Sequence, residues 1–65
     1  MNWDIVEGKW DEIKGKVRET WGKLTDSDLQ DIQGKKERLE GRLRQRYGYE
    51  KDQAEKHVET FISSI

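Results

Sequence analysis

VEGKWDEIKGKVRETWG (residues 6–22) and IQGKKERLEGRLRQRYG (residues 32–48) are two versions of one seventeen-residue unit. Aligned without gaps they share 5 identical residues, and 8 further positions hold conservative pairs, among them Val6 with Ile32, Ile13 with Leu39, Val17 with Leu43 and Trp21 with Tyr47. Glycine marks the register, at 8, 15 and 22 and again at 34, 41 and 48. Self-similarity at a fixed offset is the signature of a duplicated structural unit. At about 100° per residue, Trp3, Val6, Trp10, Ile13, Val17, Trp21 and Leu24 fall on one narrow stripe, as the core-facing side of an amphipathic helix requires. Leu29, Ile32, Leu39, Leu43 and Tyr47 form the matching stripe of the second unit, with Lys36 where the first has Trp10. A third stripe of Ala54, Val58, Phe61, Ile62 and Ile65 follows, again at spacings of three and four. No stretch alternates with period two, so the sequence predicts an all-α fold, a small bundle of four to five short helices in one domain spanning residues 1–65.

The boundaries carry their own chemistry. Thr25 is placed to cap a helix starting at Asp26, Asp28 to return the bond as a capping box, and Leu24 and Leu29 to form a hydrophobic staple. Gly22 and Gly48 each follow the last aromatic of a stripe, where a left-handed glycine ends a helix. Gly8 and Gly34 mark breaks between a short helix and a longer one, since a helix-interior glycine costs about 1 kcal/mol relative to alanine. Acid-first pairs four apart (Glu12 with Lys16, Glu19 with Lys23, Glu40 with Arg44, Asp52 with Lys56) are expected to support the helices. Gly15 and Gly41 lie opposite the apolar stripe; the preferred reading makes them spacers that let another segment approach, the other makes them a device that keeps the helices weak.

Composition narrows the function classes. Of 65 residues 42% are charged and only 13 are Leu, Ile, Val or Phe, which borders on disorder, yet the net charge of −1 removes the self-repulsion that would keep the chain open. Without cysteine there is no disulfide framework, thiolate metal site or thiol nucleophile. Asp4 and Glu7 stand where a signal peptide needs a basic start and an apolar run, and no apolar run reaches membrane-spanning length, so a soluble cytoplasmic protein is expected. Ser27, Ser63 and Ser64 lack a nucleophile context, His57 has no second ligand at helical spacing, and so short a chain builds no deep pocket. Neither an enzyme, nor a cofactor, metal or small-molecule substrate is expected, and the chain reads as a monomer.

What remains is surface. Residues 25–34 sum to −3 and residues 35–48 to +4. Lys35, Arg38, Arg42 and Arg46 lie within an arc of about 80° beside the apolar stripe, a line of cations able to meet phosphates or a protein partner. The preferred reading is a solvated edge whose long stems cover the side of the core, paired with the acidic segments on either side. Trp3 and Tyr49, near helix ends, are the aromatics best placed for partner contact.

The runs GKWDEIKGKVRETWGKLTDSDL (8–29) and LEGRLRQRYGYEKDQAE (39–55) closely resemble the CsbD-like family of small bacterial general-stress proteins. The resemblance covers nearly the whole chain and is carried by Trp10, Gly15, Trp21, Gly22, the Leu24-Thr25-Asp26 turn with Asp28, then Gly41, Tyr47, Gly48 and Ala54. It implies two orthogonally packed helical hairpins and a part in osmotic or general stress, and it brings no catalytic residue.

Overall fold

A computed structural model describes residues 2–65. It consists of α1 (Trp3–Gly8), α2 (Trp10–Thr20), α3 (Asp26–Ile32), α4 (Lys36–Tyr47) and α5 (Lys51–Ser64), with no strand among the described residues. Each copy of the repeated unit spans the end of a short helix and all of the long helix after it, α2 in the first and α4 in the second, and α5 follows the second copy. Helix α4 packs against both α3 and α5, while α1 packs on α2.

Local chemistry accounts for most ends. Asn2 accepts from the amide of Ile5 at 3.1 Å and starts α1. Thr25 and Asp28 close the anticipated capping box, with reciprocal bonds of 3.0 and 3.1 Å. A second box, between Glu50 and Gln53, starts α5. Gly48 ends α4 at φ 71°, in the left-handed region that glycine enters without strain. Gly34, at φ 76°, separates α3 from α4, and a Cβ there would lie 3.1 Å from Glu7 Cα and 3.3 Å from Trp10 Cβ. The two units therefore touch backbone to side chain at this glycine.

Gly22 behaves differently from expectation. Helix α2 stops at Thr20 with Trp21 as its cap at φ −120°, and Gly22 is not among the positive-φ residues. Burying Trp21, 4% exposed and 5.1 Å from the ring of Phe61, sets this end; a glycine turn does not.

Among the described residues the core holds Val6, Ile13, Val17, Trp21 and Leu24 from the first stripe, Leu29, Ile32, Leu39 and Leu43 from the second, and Ala54, Val58 and Phe61 from the third. Nine of these twelve are Val, Ile or Leu, each worth about 1.5–3 kcal/mol when buried. Trp10 departs from its stripe: it is half-buried, packed on the edge of the core. The spacer reading of Gly15 and Gly41 is overturned, since a Cβ at either position meets nothing within 4 Å. The acid-first helix pairs are also absent from the ion pairs of the described residues, which all join different segments: Arg18 with Asp26, Lys35 with Glu7, Arg42 with Asp28 and Asp31, Arg46 with Asp28. A carboxylate on another element held in place by folding costs less entropy to engage than two free side chains on one exposed helix face.

Candidate functional site

The basic edge of α4 faces acids of its own chain. Lys35 pairs with Glu7 at the end of α1. Arg38 donates to the carbonyl of Asp31 at 3.0 Å, and Arg42 reaches the carboxylates of Asp31 and, at 3.4 Å, Asp28. Arg46 grips Asp28 with two bonds, Nε to Oδ2 at 2.9 Å and Nη2 to Oδ1 at 3.0 Å. Asp28 and Asp31 of α3 thus meet the basic edge, while Asp26 pairs with Arg18 of α2.

Asp28 is the centre of this arrangement. It is 1% exposed, yet its two oxygens receive the Thr25 amide and the Arg46 fork. The Arg46 hydrogen bonds hold its carboxyl well down, at about 2, against the opposing effect of burial, with the Thr25 amide assisting. The same contact raises the pKa of Arg46. One carboxylate thus starts α3 and ties it to the far end of α4. Glu40, on the same helix, has the opposite environment: burial raises its pKa, with Glu55 and Glu37 adding to the effect and Lys36 and Lys51 opposing it, and its Oε2 is buried with no hydrogen-bond donor.

Trp3 and Tyr49, the two aromatics singled out for partner contact, are half-buried. The indole N–H of Trp3 donates to the Gly34 carbonyl at 2.7 Å. Tyr49 is sandwiched in a ladder, 5.2 Å from Tyr47 and 4.4 Å from His57, with interplanar angles of 13° and 11°. Lys23 lies 5.1 Å over the outer ring, and its amide donates to the Tyr47 hydroxyl at 3.2 Å. The ladder joins the end of α4 to α5 and to the loop after α2.

A groove of about 540 Å³ runs between α2 and α3. Trp10 and Gln33 stand at one end, where Gly34 brings the α3–α4 turn against Trp10, and the Arg18–Asp26 ion pair closes the other. Leu29 and the bare backbone of Gly15 form part of its wall. A smaller groove includes Gly41, with Arg38 and Arg42 beside it.

A family model described as CsbD-like matches residues 4–56. The chain belongs to the CsbD-like family. It is similar to the UPF0337 protein YjbJ of Escherichia coli strain K12, 57% identical over 58 residues that make up 89% of this chain and 84% of the relative. The UPF0337 protein pc0632 of Protochlamydia amoebophila is 54% identical over 61 residues, 94% of this chain and 92% of the relative. The UPF0337 protein ECA0631 of Pectobacterium atrosepticum is 56% identical over 58 residues. The family match takes in both repeat units, the basic edge and the groove.

Sequence reasoning paired the basic edge with the neighbouring acids, but it did not assign each cation its partner or give the aromatics theirs. It missed Asp28 as an ion-pair centre, since its role in the capping box already explained it. It read His57 as isolated, although Tyr49 precedes it by eight residues, and it placed Trp10 inside. The unexplained glycine at 15 was the available signal for the groove.

Proposed function

We propose that this CsbD-like protein is a non-enzymatic, cytoplasmic protein of the bacterial stress response that shields other macromolecules when water is scarce. The observation that supports the reading is the matching of charge across its surface: Lys35, Arg42 and Arg46 pair with acids of the same chain, and Ile5 is the exposed large apolar side chain among the described residues. Such a surface orders water around both signs of charge without a patch that seizes one partner. No helix of the described residues is long and apolar enough to cross a membrane, which fits a role at macromolecular surfaces in water. The test is recovery of a labile enzyme after drying or freezing with this protein, compared with an unrelated helical protein of equal size. Higher recovery with this protein is expected; equal recovery refutes the role.

The competing reading makes Lys35, Arg38, Arg42 and Arg46, helped by Trp3 and Tyr49, a contact for nucleic acid or a protein. It requires phosphates to displace Glu7, Asp31 and Asp28 from those cations. Titrating tryptophan fluorescence with DNA and RNA at low and high salt separates the two. Salt-sensitive binding that disappears when the four cations become Gln would favour the contact and displace the shielding role.

A further inference from the structure

We infer that the groove between α2 and α3 is a binding site for a neutral polyhydroxylated molecule of disaccharide size, held and released without chemical change. Three observations converge on it. Trp10 is only half-buried although Val6, Ile13, Val17, Trp21 and Leu24 of its stripe are core, and the second repeat unit folds with Lys36 in its place, so the unit does not need an indole there to pack. Gly15 sits inside α2, at a cost of about 1 kcal/mol relative to alanine, with open space where its Cβ would be; the bare backbone leaves the groove wall clear. The span from Trp10 to Arg18 is eight residues of helix, about 12 Å, and the groove measures about 540 Å³.

The lining chooses the ligand class. Asp11 and Asp26 oppose an anion, Lys14 and Arg18 oppose a cation, and the four cancel. Gln30 and Gln33 each offer a planar amide that donates and accepts, which suits hydroxyl groups. The exposed part of the Trp10 ring offers an apolar platform for the C–H face of a sugar ring, and Leu29 continues it. A groove this open and shallow retains part of the ligand's hydration, so dissociation constants on the order of 1–10 mM are expected. The site is independent of the shielding role, which needs no ligand.

Titration of the isotope-labelled full chain with maltose and with sucrose tests the site by NMR. Saturable shifts are expected at the Trp10 indole and at the amides of Gly15, Gln30 and Gln33. Gly15→Leu projects a side chain into the groove while improving helix propensity; it should keep or raise the melting temperature and weaken binding by roughly tenfold or more. Trp10→Lys, which installs the second unit's residue, should do the same to binding and serves if Gly15→Leu fails to fold. Gly41→Leu should leave binding unchanged. Linear shifts spread over the whole surface, unaltered binding in folded Gly15→Leu or Trp10→Lys, or preference for glucose 6-phosphate or choline over both disaccharides would overturn the assignment.

Discussion

The α1–α2 half places Trp21 against Phe61 and sets the Trp3 indole on Gly34, whereas the α3–α4 half puts half-buried Tyr47 at the position of Trp21 and Lys36 at that of Trp10. The polar sides differ more. With the offset of 26, Asp28 corresponds to Asn2, Asp31 to Ile5 and Arg46 to Thr20, so the ion-pair network between α3 and α4 has no chemical counterpart between α1 and α2. Shared apolar spacing is enough to make both halves fold as a short helix and a long one. What holds each in place differs: aromatic burial in the first, and in the second a buried carboxylate with two arginines and the cover of α5.

Trp21→Ala is the strongest attack on the aromatic side of this contrast. It removes a buried indole and its partner ring, worth about 3–5 kcal/mol, and should leave the chain largely unfolded by circular dichroism at room temperature. Trp10→Ala, at a half-buried position, should lose only about 1–2 kcal/mol and melt as a folded protein. Equal losses would erase the distinction between the two tryptophans.

The polar side is broken at Asp28. Asp28→Asn keeps the shape but removes the charge that Arg46 and Arg42 share, and should cost about 2 kcal/mol in denaturant melts, because the arginines are partly exposed and regain water. In the parent, Asp28 is depressed from 3.8 to about 2, so its contribution is complete above about pH 4 and disappears as pH falls through about 2. The Asn variant should lack that part of the acid transition; an unchanged profile would remove Asp28 from the centre of the network.

The two units should respond alike where they are alike. Gly15→Ala and Gly41→Ala each meet open space inside a helix and should each stabilise by up to about 1 kcal/mol in thermal melts. A loss at one position alone would reveal a close approach there. The smallest effect is expected at Glu40. Its raised pKa means the folded state favours the protonated form, so its contribution is present at low pH and lost as pH rises through the folded value. Glu40→Gln should raise stability at neutral pH by about 1 kcal/mol or less, and flatten that part of the pH profile.

The register of the stripes and the capping box of Thr25 were legible because both depend on neighbours three or four residues away. Tyr49 meeting His57, Trp3 meeting Gly34 and Arg46 meeting Asp28 were not, since the partners are 8, 31 and 18 residues apart and face each other only once the helices have packed. Gly22 shows the same limit at a helix end. Its sequence position suits a left-handed cap, but where the chain turns is set by the gain from burying Trp21.

Four to five helices in a duplicated pattern follow from the sequence alone, because helical period, capping and glycine breaks act over a single turn. Which acid each cation of the basic edge meets, that Trp10 stays at the rim, and that a groove runs along Gly15 were settled by packing. Those outcomes depend on which surfaces α3 and α5 cover, and coverage is a property of packing between distant segments, where desolvation and ion pairing are settled together.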